Sequence, residues 1–146
     1  MNRRDFLKMQ IGAAVAAGVT SLPLASAALA ATPVKVGVLV PMSGPGGLFG
    51  PSSRNCAQLA VDELNVAGGI LGRQIEPLFA DVGGPPADAT QAALKLWKGQ
   101  KVEAFIGMHD SAVRGALTNL FKGKVPYIYT PVYEGGECAA GTFVQI

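Results

Sequence analysis

Residues Val34 to Asn55 read VKVGVLVPMSGPGGLFGPSSRN, and the fold turns on how this stretch is interpreted. Its first seven residues are nearly all apolar and rich in Val, the signature of a strand covered on both faces. A loop crowded with Gly and Pro follows. Pro51 then opens a helix in its first turn, where a missing N–H costs nothing. A strand, a glycine-rich loop and a helix in this order often cradle phosphate, and two such motifs can be tested. A Walker loop ends in Gly-Lys-Ser/Thr, but Gly50 precedes Pro51-Ser52 and no Lys lies between Lys35 and Lys95. A dinucleotide fingerprint needs three spaced glycines. Gly44 and Gly46 fit, Phe49 stands at the third position, and Asp62 and Glu63 fall inside a helix rather than at the ribose position. The glycines are therefore read as turning the backbone.

Beyond this stretch the chain alternates helix and strand. Cys56, Leu59, Ala60, Leu64 and Ala67 recur at helical steps as an inward face, and Gly68-Gly69 ends that helix. The second strand, IEPLFAD, carries Pro77, which marks an edge or irregular strand. Asp88 is expected to cap the next helix, with Ala89, Ala92, Ala93, Leu96 and Trp97 inward. EAFIG forms a third strand, and Ser111 is expected to cap a third helix with Val113, Leu117, Leu120 and Phe121 inward. PYIYTP is a fourth strand, and TFVQI starts a fifth element. The alternation predicts an α/β fold, a parallel sheet with helices on both faces. Ligands bind such sheets beyond the carboxyl ends of the strands. Four loops occupy that edge: Pro41–Gly50, Asp81–Ala87, Met108–Asp110 and Thr130–Cys138.

The first thirty of the 146 residues read as an export signal and are set apart from the fold. A basic start leads to an apolar run, Ile11 to Val19, and to small residues at Ala27 and Ala30. The run is too short and too rich in Gly and Ala to span a bilayer comfortably. Arg3-Arg4-Asp5-Phe6-Leu7-Lys8 matches a twin-arginine pattern, the address of a route that exports folded proteins. An ordinary secretory signal is the alternative, and either one takes the product out of the cytoplasm. Without these residues the chain keeps nine Lys and Arg and nine Asp and Glu, a formal charge of zero. A basic face for nucleic acid is not supported. One His and two distant Cys offer no metal-ligand spacing. In an oxidising compartment Cys56 and Cys138 either pair or, with Cys56 on the inward helix face, leave a buried thiol.

Two loops carry candidate chemistry. In GMHDSAVRG the consecutive His109, Asp110 and Ser111 point in different directions, so a catalytic triad is disfavoured. Ser111 and the N–H groups of the third helix suit recognition of a carboxylate or carbonyl oxygen, unless Ser111 only caps its own helix. YIYTPVYEGGEC gathers three tyrosines and two carboxylates around a Gly pair. Tyr129, Tyr133, Glu134 and Glu137 suit a polar, aromatic pocket, or else are ordinary strand and surface residues.

PMSGP, AVDELNVAGGILGRQIE and FIG before the expected Ser-capped helix together resemble the first lobe of a periplasmic solute-binding protein, the type I class serving ABC transporters of branched-chain amino acids. YTPVYEGGEC is similar to the amide- and urea-binding subgroup, whose members carry Tyr-x-x-x-Tyr-Glu-Gly here. The resemblance implies a Rossmann-like lobe, a small solute such as a short amide, urea or a branched-chain amino acid, an ABC transporter permease as partner, and no cofactor or catalysis. By position it implies solute contacts from Ser43, His109, Ser111, Tyr129, Thr130, Tyr133 and Glu134. His109 stands where relatives carry Tyr or Trp, and Asp110 adds an unusual charge. Members have two lobes closing on the solute. Residues 1–30 are accordingly expected to be a twin-arginine-type signal and 31–146 the N-terminal lobe, stopping before the second. A sensory module of the same fold and an exported NAD(P) oxidoreductase are the alternatives, the latter weakened by the failed fingerprint. A solute held by one lobe is desolvated on one side only. Calorimetry with acetamide, urea or leucine on this chain is expected to show no micromolar binding; a micromolar constant for any of them overturns this.

Overall fold

Strand β1, Val34–Val40, owes its central place to side chains that alternate between two apolar layers. Leu39 faces one layer and is fully buried, while Val38 and Val40 face the other. The computed structural model describes residues 32–135 and 142–144, the last three as backbone. After β1 come α1 (Gly50–Val66), β2 (Ile75–Asp81), α2 (Pro86–Leu94) with a wider π-helical turn at Lys95–Gly99, β3 (Ala104–Gly107), α3 (Ser111–Phe121), β4 (Tyr127–Tyr129) and β5 (Thr142–Val144). All strand pairings are parallel, in the order β2-β1-β3-β4-β5. β2 is an edge strand, as its Pro77 requires. The expected signal, residues 1–30, lies outside the described residues.

The main core lies between the sheet and the α2–α3 pair. Leu39, Phe105 and Tyr127 meet Ala89, Ala93, Leu96, Val113, Leu117 and Phe121. Phe121 organises this layer: it stacks on Phe105 with centroids 4.7 Å apart and meets the Trp97 ring edge-on at 5.8 Å. Phe105 in turn lies against the β1 backbone. A Cβ added to Gly37 would stand 2.4 Å from its ring, so only glycine lets β1 and β3 pair with that ring in place.

Helix α1 covers the opposite face, but it is turned differently from the expected inward face. Cys56, Leu59, Ala60, Leu64 and Ala67 are exposed, and Val61 is buried instead. Polar bonds set this rotation. The Asn65 side chain donates to the Ile75 carbonyl at 3.0 Å and accepts the Ile75 N–H at 2.7 Å, tying the helix end to the start of β2. With Asn65 inward, Val61 and Ala57 follow at steps of four. Arg54 stacks over the Phe79 ring at 4.8 Å. The alternative of a buried Cys56 thiol is thereby corrected, and the Cys138 of the alternative disulfide lies outside the described residues.

A second tie explains the GRQ segment. Arg73 donates to the carbonyls of Thr32 and Pro33 and forms a two-bond ion pair with Glu103, at 2.6 and 3.1 Å. One side chain so joins the entries of β1 and β3 to the turn before β2. The helix caps also differ from expectation. α2 starts behind Pro85, with Asp88 inside its first turn and no side-chain cap. At α3 the cap is Asp110, whose Oδ1 accepts the Val113 N–H at 2.8 Å, and Ser111 is the first helical residue. Asp110 wins because its backbone is extended while that of Ser111 is already helical. Gly37→Ala is expected to destabilise the fold by about 1–3 kcal/mol through overpacking against Phe105, read as a lower urea midpoint with an unchanged slope.

Candidate functional site

The strand order reverses between β1 and β3, so the loops leaving them diverge and open a crevice at their carboxyl ends. A cavity of about 280 Å³ lies there, walled by Pro41, Gly46 and Phe49 of the first loop, Gly83 of the second, Met108, His109 and Asp110 of the third, and Pro131 of the fourth. All four loops expected at this edge contribute to it. A second cavity of about 390 Å³ lies on the α1 side, between Val38, Val40 and Ile106 of the sheet and Ser52, Cys56 and Ala57 of the helix.

The first wall is held by Asp81, at the end of β2. Its Oδ1 accepts the N–H groups of Met42, Ser43 and Gly83, at 2.9, 3.2 and 2.9 Å. Partial burial works against its charge, but these bonds outweigh it and hold the carboxyl below its usual range. The two loops also touch so closely that a Cβ on Gly83 would stand 2.0 Å from the Ser43 carbonyl oxygen. Gly44, at φ +65°, would meet Gly83 in the same way. Gly44, one of the glycines that suggested a phosphate loop, is spent on this seam, while Gly46 lies against Pro41 of its own loop. Asp81 was missed in the sequence, although an Asp at a strand end before Val-Gly-Gly is an Asx-turn signal.

The floor of the crevice is His109, which is buried. Its Nδ1 lies 3.1 Å from the Asp110 carbonyl oxygen, which can only accept, so Nδ1 carries the proton. Nε2 is then the acceptor for the Tyr127 hydroxyl at 2.8 Å. The Tyr129 hydroxyl donates to the His109 carbonyl at 3.0 Å. Burial pushes the imidazole below its ordinary pKa, against the pull of the Asp110 carbonyl and carboxylate, so it stays neutral at pH 7. Both ring nitrogens of His109 serve the protein, and what it offers the cavity is ring surface. Tyr129 is buried, and Thr130 donates its hydroxyl to the Gly107 carbonyl at 3.0 Å and lines the second cavity.

The remaining candidates form one cluster beside the crevice. The Ser111 hydroxyl donates to Glu134 Oε1, and Arg114 Nη1 donates to Oε2 at 2.9 Å. The Arg114 guanidinium lies 4.8 Å from the Tyr129 ring centroid and 5.1 Å from that of Tyr133. Burial lowers the affinity of Arg114 for its proton, and the bonds to Glu134 and Tyr129 more than restore it. Arg114 escaped the sequence reading, though a cation between inward Val113 and Leu117 is the signal that reveals it. Ser43, His109, Ser111, Tyr129, Thr130, Tyr133 and Glu134 so fall into three groups: Ser43 in the first wall, Thr130 by the second cavity, and the others around His109 and Arg114. Glu137 lies outside the described residues.

Comparison with known proteins gives one consistent result. The periplasmic binding protein family matches residues 33–145. Leu/Ile/Val-binding protein BraC3 of Rhizobium johnstonii is 33% identical over 108 residues, 74% of this chain and 29% of that protein. Leu/Ile/Val-binding protein homolog 3 of Brucella melitensis is 30% identical, over 82% of this chain and 32% of that one. Among solved structures, the branched-chain amino acid transporter substrate-binding protein LivJ of Streptococcus pneumoniae, in complex with isoleucine, superposes with a TM-score of 0.62 at 35% identity, covering 67% of this chain and 28% of that one. A solute-binding protein of Rhodopseudomonas palustris in complex with 3,4-dihydroxybenzoic acid gives 0.58 at 27% identity, over 65% and 26%. This chain spans about 30% of the length of the two Leu/Ile/Val-binding relatives.

The Ser111 hydroxyl first, and Arg114 second, hold the Glu134 carboxyl at about 2 instead of 4.5. A group depressed on folding adds stability above its unfolded pKa and loses it as pH falls through the folded one. The melting temperature is therefore expected to drop between pH 4.5 and 2, with a shallower drop in Glu134→Gln; thermal melts across this window check it, and equal slopes refute it.

Proposed function

The chain belongs to the periplasmic binding protein family, and from that premise we propose that it is the solute-recognising lobe of an extracytoplasmic ABC uptake system. The observation that carries this reading is the cavity of about 280 Å³ at the carboxyl ends of β1 and β3, of a size for a small polar solute. A short amide, urea or a branched-chain amino acid is the solute class: the relatives support the branched-chain amino acids, and the resemblance of YTPVYEGGEC supports the amides and urea. The lobe performs no chemistry. Its partners are the solute and a transporter permease, and its place is the periplasm, reached through the twin-arginine export machinery by way of residues 1–30.

The wall is built for recognition by its order rather than by reactive groups. His109 is neutral and held at both nitrogens, and Asp110 is engaged at the α3 cap. A nicotinamide-binding oxidoreductase finds less support, because Gly44 and Gly83 serve the contact between loops. Titration of the 15N-labelled chain with millimolar acetamide, urea and leucine tests the reading. Amide shifts are expected at Gly46, Gly83, Met108 and Asp110 for at least one of them. Shifts confined to residues of the second cavity, or none for all three, overturn it.

A further inference from the structure

The first turn of α3 holds a carboxylate, and that carboxylate belongs to the chain itself. Ser111 and Arg114 stand one turn apart on one face of the helix and both donate to Glu134. Arg114 is preset for an anion: it is buried and bracketed by the rings of Tyr129 and Tyr133. One step away, the Val113 N–H, a further donor of the same turn, is taken by Asp110. Three donors of this turn, the Ser111 hydroxyl, the Val113 N–H and Arg114 Nη1, are thus taken by internal carboxylates. Ser111 directly follows Asp110, and Glu134 comes three residues after Pro131, both residues of the cavity wall.

We propose that Glu134 is a specificity-determining residue: it occupies the carboxylate position at Ser111 and Arg114, so the lobe takes neutral or cationic solutes rich in N–H groups and rejects acids. This rests on the reading that the crevice holds a solute. Within the solute class above it favours the amides and urea, since a branched-chain amino acid brings a carboxylate that meets the same obstacle. An acid reaching Ser111 must displace Glu134 from a two-bond, charge-assisted pairing and then lie beside the Asp110 carboxylate. A neutral amide needs no such exchange, and its N–H groups meet a wall whose charged member is Asp110. Glu134 also balances Arg114, which leaves no net positive charge at this corner to draw an acid in.

Acetate and acetamide, equal in size and differing in charge, are the probes for the 15N-labelled chain, titrated in chloride-matched buffer against wild type, Glu134→Gln and Glu134→Ala. Wild type is expected to bind acetamide and to bind acetate at least about tenfold more weakly, the ratio set by a hydrogen-bonded charge pair. In Glu134→Ala acetate should gain about tenfold, with shifts at Ser111 and Arg114, as the freed donors take it. Glu134→Gln keeps a side chain for Ser111 and guards against misfolding of the Ala variant, which circular dichroism monitors; a smaller gain is expected there. Acetate binding at Ser111 in wild type as tightly as in the variants overturns the inference. So does an unchanged acetate affinity in both variants while acetamide still binds, an outcome that leaves the solute-binding reading intact. Acetate gained in the variants with acetamide bound by none supports the placement of Glu134 and overturns the amide class. No binding of either probe to any of the three proteins overturns both.

Discussion

The contact between the Phe105 ring and the bare backbone of Gly37 is the constraint on which the rest of the lobe depends. It brings β3 beside β1, and it places Phe105 where Phe121 and, through it, Trp97 and Tyr127 complete the larger core. The same pairing makes β1 and β3 neighbours at the reversal of strand order. The crevice at their carboxyl ends is a geometric consequence of that reversal and requires no special residues of its own. Packing on one side of the sheet thus decides where a solute is received at its edge.

Around this frame, polar side chains act mainly as ties between loops and strand entries. Asp81 gathers three backbone N–H groups, Asn65 clamps the β2 entry, and Arg73 joins the entries of β1 and β3 to Glu103. These ties hold backbone that would otherwise lack partners, so they cost little and give the loops one arrangement. In the Asn65-to-Glu76 segment, one of the stretches that carry the family resemblance, Asn65 and Arg73 do this clasping. Its Gly69, at φ +74°, is needed because a Cβ would stand 2.0 Å from the Arg73 carbonyl oxygen.

The strands were legible because β1 to β4 are short apolar runs bounded by Gly, Pro or polar residues, and their order along the chain implies a parallel sheet. The inward faces of α2 and α3 were legible too, since packing against the sheet follows helical periodicity when nothing competes. α1 shows what competes. Its apolar residues predict one rotation, and the Asn65–Ile75 bonds impose another. The cap of α3 went to Asp110 because the choice between adjacent polar residues depends on which of them is already helical. His109, Ser111, Tyr129, Tyr133 and Glu134 were all marked from the sequence, but their partners were not, and Arg114, which joins Tyr129, Tyr133 and Glu134 into one cluster, was absent from the reading.

By itself the sequence determined the element order, the parallel sheet and the loops that wall the crevice, because these follow from local propensity and periodicity within short segments. It also weighed against a phosphate loop, through one missing Lys and Phe49 at the third glycine position. Only the tertiary structure decided which groups remain available there. His109 is spoken for by Tyr127 and the Asp110 backbone, and Ser111 by Glu134, a residue twenty-three positions away. The physical reason is that a donor or acceptor is defined by its partner, and partners far apart in the chain meet only once the sheet has brought their loops together.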